Sequence, residues 1–279
     1  MKQAFVLIAT GALWAFMMAE LVKRELLPYL EYKAPPTYRA MLEGRRDPWL
    51  QKWNVILDGQ IIGSSETLIE PREDRTTRIR SRTSYNATRL LPPAVAALLG
   101  GTAIIESKTE SLIDESYQLS TFTMDLRGPG LTGGTTAVRR GAELVVRYHT
   151  PIFNGEKILP YEDDMTLSDT TMPFQGAGKL HVNKAWSIHT LELDLKEKVK
   201  KSRLYAVVYS REPRAWKDRT LEVFRVDVSR EPHGKTVYHV YVDDRGRVIE
   251  QRALQGEHEI RTVLDEERPP TPEETRSWK

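Results

Sequence analysis

Arg78, Arg80 and Arg82 alternate within TTRIRSRTS, residues 76–84. On a β-strand such alternation lays three guanidiniums along one face about 7 Å apart. A row of that kind suits anionic head groups or an acidic partner strand, because guanidinium pairs with carboxylate and phosphate through a planar fork. It equally describes a sheet edge kept soluble by charge. A second basic stretch, SREPRAWKDR at 210–219, carries Trp216 among cations and reads as an exposed loop facing a membrane interface or a protein contact.

Other chemistries lack their residues. There is no cysteine, so disulfides, thiolate metal sites and a cysteine nucleophile are excluded. His258-Glu259 begins like a zinc-protease motif, but Thr262 stands where the second histidine belongs. His181 and His189 are eight positions apart, and His233 and His239 read as structural. The segments GSSE (63–66) and SKTES (107–111) fit no serine-nucleophile pattern. GPGLTGGTT (128–136) lacks the Lys-Ser/Thr of a phosphate loop and reads as a flexible turn. Glu162, Asp163 and Asp164 form an acidic knot without the alternating oxygen pattern of a calcium loop. The expectation is a chain with no catalytic residue, no metal and no cofactor. A hydrolase using that knot with a histidine stays open as a third reading.

The elements that must position these residues are mostly strands. From Lys52 onward the apolar period is two, as in KWNVILDGQIIGS, where Asp58-Gly59 marks a tight hairpin. Further turns are expected near Asp114, at Arg140-Gly141 and at Asp244-Arg245-Gly246. Thr88–Gly101 predicts one internal helix, with Pro92 or Pro93 in its first turn and a glycine pair at its end. Ten to twelve strands and one helix predict a mainly β fold, an antiparallel curved sheet or half-barrel, over residues 52–264. Residues 150–180, rich in Pro and Gly, mark a sub-boundary or a lid. The charged, Pro-rich residues 265–279 predict a disordered tail.

The N-terminus reads differently. Gln3 to Ala19 is an uncharged run of 17 residues, and Leu21 and Val22 extend it past Glu20. As a helix the uncharged run spans about 25 Å, somewhat short of a bilayer core, and the extension to Val22, with Glu20 at the interface, brings it near the required length. Met17 occupies the position where a cleavable signal needs a small residue, so residues 1–25 read as a retained transmembrane signal-anchor. Lys2 favours a cytoplasmic N-terminus, against Lys23 and Arg24 on the far side, and puts the bulk of the chain on the periplasmic side of the inner membrane. Residues 26–51, with Pro28, Pro35, Pro36 and Pro48, read as a stalk with a short helix near 37–42, and Tyr29, Tyr32 and Trp49 lie either at head-group level or against the domain. A net charge of +2 gives no reason to expect nucleic acid as a partner.

PFQGAGKLHVNKAWSIHTLELD (173–194) and VYHVYVDDRGRVIEQRAL (237–254) resemble segments of uncharacterised bacterial envelope proteins with an open β half-barrel similar to lipoprotein-localisation carriers. Trp186 after a Gly-containing turn and the Asp243-x-x-Gly246 hairpin carry the likeness. The resemblance implies an apolar concave face that holds acyl chains, without catalysis. The function expected is a membrane-anchored, extracytoplasmic, non-catalytic domain that binds a hydrophobic or amphiphilic ligand or serves an envelope assembly, with a lipid or an envelope protein as partner. The alternative is a structural protein–protein interaction module. Arg78, Arg80, Arg82 and Trp216 are the candidate contact residues.

Overall fold

The computed structural model describes residues 14, 16–18, 20, 32–33, 38–90, 103–151, 153–162, 165, 180–194, 198–255 and 257–278. Among the described residues fifteen strands form one sheet in the order β1-β10-β11-β12-β13-β14-β15-β2-β3-β4-β5-β6-β7-β8-β9. Two antiparallel meanders, β2 (Trp49–Leu57) to β9 (Asn154–Pro160) and β10 (Ala185–Asp194) to β15 (His258–Arg268), are welded where β15 pairs with β2. β1 (Tyr32–Lys33) pairs in parallel with β10. Among the described residues β1 and β9 do not pair, so the sheet is open and not a closed barrel.

Local chemistry sets the turns. Asp58 and Gly59 both take positive φ, 47° and 83°, which gives the mirror-image turn that matches strand twist and joins β2 to β3 (Gln60–Pro71). Gly133 and Gly134, expected in a flexible turn, instead lie inside β7 (Leu131–Arg140). A Cβ at Gly134 would sit 2.5 Å from His149 Cε1 and 2.9 Å from the Met124 carbonyl oxygen. Gly134 thus makes room for the His149 side chain of the neighbouring strand β8 (Glu143–His149), and Gly133 for the His149 carbonyl and Thr150, instead of bending the chain.

Alternation sends Trp49, Gln51, Trp53 and Val55 of β2 to an inner face with Ile69 and Ile79 of β3 and β4 (Thr77–Asn86). Two apolar clusters form the core of the described strands. One, in the first meander, includes Trp49, Ile79, Phe122 and Val146; the other, in the second, includes Trp53, Trp186, Trp216 and Leu264.

Several expectations need correcting. Residues 26–51 are not a free stalk throughout. Helix α1 (Tyr38–Leu42) buries Tyr38, Met41 and Leu42, and Trp49 lies in the core of β2 rather than at head-group level. The tail is not disordered. β15 runs to Arg268, and helix α2 (Pro272–Ser277) folds back on the sheet. Of the expected transmembrane segment, residues 14, 16–18 and 20 are helical and the rest lies outside the described residues. Among the described residues no helix is long and apolar enough to cross a membrane. The expected helix at 88–101 begins with a 3-10 turn at Thr88–Leu90, and its remainder lies outside the described residues. In the presumed boundary region, β9 pairs with β8, while residues 166–179 lie outside the description.

Candidate functional site

The arginine row lies on β4, which is interior to the sheet between β3 and β5 (Ile104–Ile113), not at an edge. Register places Arg82 beside Lys108 and Lys108 beside Asp125 of β6 (Leu119–Gly128), and Arg80 beside Glu110 and then Thr123. These side chains face away from the Ile69–Ile79 core.

The row is engaged by the chain's own C-terminal segment. Arg80 is buried, bonded to Glu70 and to the Trp278 carbonyl oxygen. Arg82 lies 3.6 Å from the Trp278 ring centroid and donates to the Ser277 carbonyl at 3.2 Å. A guanidinium stacked on an indole face is an attractive contact of charge with quadrupole. Arg78 pairs with Glu110 at 3.3 Å. Between Trp278 and the β4–β6 surface a cleft of about 310 Å³ remains, lined among others by Arg82, Lys108, Glu110, Thr123 and Asp125. Among the described residues neither Arg82 nor Lys108 has a carboxylate within 4.0 Å.

Helix α2 holds the indole in place. Thr271 caps it: its hydroxyl accepts from the Glu274 amide at 3.2 Å, and its own amide donates to Glu274 Oε2 at 2.8 Å. Glu274 also accepts from Arg268 at 2.7 Å and from Lys52 Nζ at 2.9 Å, which ties the helix to β15 and β2. Arg268, the Thr271 amide and Lys52 hold the Glu274 carboxyl far below the usual range, and Glu274 raises the Lys52 ammonium in return.

Trp216 corrects its expectation. It ends β11 (Lys198–Trp216), is only 7% exposed, and its indole N–H donates to the Leu264 carbonyl at 2.6 Å. Arg219 and Arg247 flank its ring at 4.6 and 5.0 Å. It is a core residue under cations, not an exposed contact.

The carboxylate–histidine idea has a structural counterpart. Glu162 Oε2 lies 2.8 Å from His189 Nδ1, and Arg203 Nε donates to His189 Nε2 at 2.8 Å. Because a guanidinium only donates, Nε2 is the acceptor and Nδ1 carries the proton that points at Glu162. Both ring nitrogens are thus engaged by protein groups. Asp163 and Asp164 lie outside the described residues.

Sequence reasoning missed Trp278, Ser277, Lys108 and Glu70. The signal for the first two was present: Thr271-Pro272-Glu273-Glu274 is a capping-box sequence with proline at the first helical position. It was outweighed by the charged, Pro-rich composition around it.

No protein-family model and no curated protein sequence matches the chain. In fold, the chain is similar to a β-barrel-like protein of the domain of unknown function DUF1849 from Brucella abortus. The TM-score is 0.52 at 10% identity, over 81% of this chain and 99% of that one. A DUF1089 family protein from Pseudomonas aeruginosa overlaps 66% of this chain and 87% of its own at 10% identity, with a TM-score of 0.38. A putative outer membrane lipoprotein-sorting protein domain from Vibrio parahaemolyticus reaches a TM-score of only 0.17 at 9% identity, over 84% of this chain and 90% of its own. The first likeness defines a class, an open β-barrel-like sheet, and shows fold alone. The other two overlaps are too poor to support an argument.

Proposed function

We propose that this chain is a non-catalytic binding domain whose ligand is an amphiphile with an anionic head, held on the outer face of the sheet. The observation that carries the reading is the cleft of about 310 Å³ in which Arg82 and Lys108, without carboxylate partners among the described residues, sit beside the Trp278 indole. Cations with no carboxylate partner among the described residues supply the affinity for a carboxylate or phosphate head, and the indole gives the adjoining methylenes an apolar wall. The outer cleft is favoured over the concave face as the head-group site because cations stand beside an aromatic ring there, whereas the two clusters of the described core are apolar. A tether through the uncharged run from Gln3 to Ala19, with the domain on the periplasmic side, belongs to the same proposal and rests on sequence alone.

A second reading, an interaction module, is favoured by one specific contact. Arg80 and Arg82 already accept a peptide, the Ser277–Trp278 carbonyls with their indole, and a partner's segment offers the same groups. Mass spectrometry of lipids that co-purify with detergent-free protein separates the two. Acidic amphiphile bound to the wild type and lost from Arg82→Glu supports the first reading. Bare wild-type protein that binds a Ser-Trp peptide supports the second.

A further inference from the structure

We infer that a second anion site lies at one rim of the sheet, built by Arg45, Arg46, Arg72 and Arg75 around Tyr117, and that it binds a phosphate-bearing group. A cavity of about 580 Å³ opens there between the segment that follows α1, the β3–β4 turn and the β5–β6 turn. That volume falls in the ordinary range for small-ligand sites, about 300–1,000 Å³.

Three independent features mark it. The first is charge. Four arginines line the cavity against two acids, Glu73 and Glu115, with Arg45 also 4.0 Å from Glu267 and stacked on Trp49. Arg39 adds a fifth cation beside it, 5.4 Å from the Tyr117 ring centroid. Among the described residues Arg46, Arg72 and Arg75 have no carboxylate within 4.0 Å, whereas most arginines elsewhere are paired, as Arg139 is with Asp114 and Arg247 with Asp243. Asp74, the other acid of this turn, accepts from the Thr76 hydroxyl at 2.6 Å and feels Arg72 at longer range. The second feature is convergence: these cations come from two separate segments, and Tyr117 from a third, all meeting at one end of the sheet.

The third feature is backbone strain placed where the cavity is. Three turns on this rim share one hydrogen-bond pattern, in which the fourth residue takes positive φ. The Asp243–Arg247 turn fills that slot with Gly246 at φ 77°. The Arg72–Thr76 and Asp114–Gln118 turns fill it with Arg75 at 63° and Tyr117 at 61°, and both side chains line the cavity. Glycine satisfies such a slot without steric cost, so an arginine and a tyrosine there are held against local preference. The fold gives up turn stability at two positions and gains a cation and an aromatic ring at one cavity.

A phosphate fits this set better than a carboxylate. The lining has a surplus of two positive charges, and guanidinium forks from different segments match several oxygens at once. The same group reaches the rim either as a soluble phosphate compound or as a phospholipid head, and the experiment separates them.

Calorimetric titration of the full chain with inorganic pyrophosphate, and co-sedimentation with phosphatidylglycerol or phosphatidylcholine vesicles, are run on wild type, Arg72→Ala, Arg75→Gly and Arg82→Ala. Saturable pyrophosphate binding, weakened about tenfold or more in Arg72→Ala and Arg75→Gly but kept in Arg82→Ala, supports a soluble phosphate ligand. Sedimentation with phosphatidylglycerol alone, with the same variant pattern, supports a head group. Arg75→Gly should also raise the melting temperature by about 2 °C, because it relieves the positive-φ strain, so lost binding is not lost folding. Absence of both kinds of binding, or binding unchanged in Arg72→Ala and Arg75→Gly, overturns the proposal. Because Arg82 belongs to the outer cleft, its variant tests the two sites separately.

Discussion

At the residue scale, the charges of this protein divide into those the fold neutralises and those it leaves available. Glu250 is the clearest case of the first kind. Its buried carboxylate accepts from Arg214 at 3.0 Å, Arg261 at 2.6 Å and Arg252 at 3.2 Å. Burial alone would raise it, but the bonds from Arg214 and Arg261 outweigh that and hold it ionised below its ordinary value. Replacing it with glutamine removes the one buried carboxylate the three share, leaving Arg214 only Glu212 at 3.8 Å, and Arg252 and Arg261 only Glu259 at 3.2 and 4.0 Å. Glu250→Gln should therefore cost about 3 kcal/mol in urea unfolding, as the loss of one partner from a buried ion pair does. Arg82 and Lys108 are the opposite case, and the outer cleft follows from that difference. The alternation at 78, 80 and 82 was readable as one face from spacing alone. That Arg80 is buried under a tryptophan 198 positions away was not, because no local pattern encodes a contact at that separation.

At the element scale, α2 decides whether the cleft has a roof. Its capping box is worth about 1 kcal/mol, so Thr271→Ala should loosen Trp278 without unfolding the sheet. Difference fluorescence against Trp278→Phe reads this as a red shift and easier quenching. The helix is also sensitive to acid, with a definite sign. Glu274 is depressed in the docked state, so its contribution is complete above the ordinary carboxylate value of 4.5 and shrinks as pH falls below it. Trp278 should stay docked through neutral pH and be released progressively below about 4.5, and Glu274→Gln should release it at every pH. Turn chemistry was the most legible part of this scale. Asp58-Gly59, Asp114, Arg140-Gly141 and the turn ending at Gly246 all fall where the sequence put them. Glycines used for clearance were misread as flexibility, since Gly134 looks the same in sequence whether it bends the chain or admits His149.

At the scale of the whole molecule, one pairing between distant segments makes a single sheet of two meanders. β15 joins β2 across about 200 residues, Ile260 facing Leu57 and Arg268 facing Leu50. A mainly β fold was legible from the period of two. The single fifteen-stranded order was not, because it depends on a register chosen between chain ends. The same closure brings α2 over β4, so the arrangement of the cleft depends on the weld. The most direct test of binding at this cleft is calorimetric titration of the full chain with laurate, below its micellar concentration, for wild type, Arg82→Ala, Lys108→Ala and the distant Arg140→Ala. The expected result is saturable binding in wild type and Arg140→Ala, weakened about tenfold or more, equivalent to about 1.4 kcal/mol, in Arg82→Ala and in Lys108→Ala. No binding to wild type, or isotherms identical in all four proteins, would contradict it.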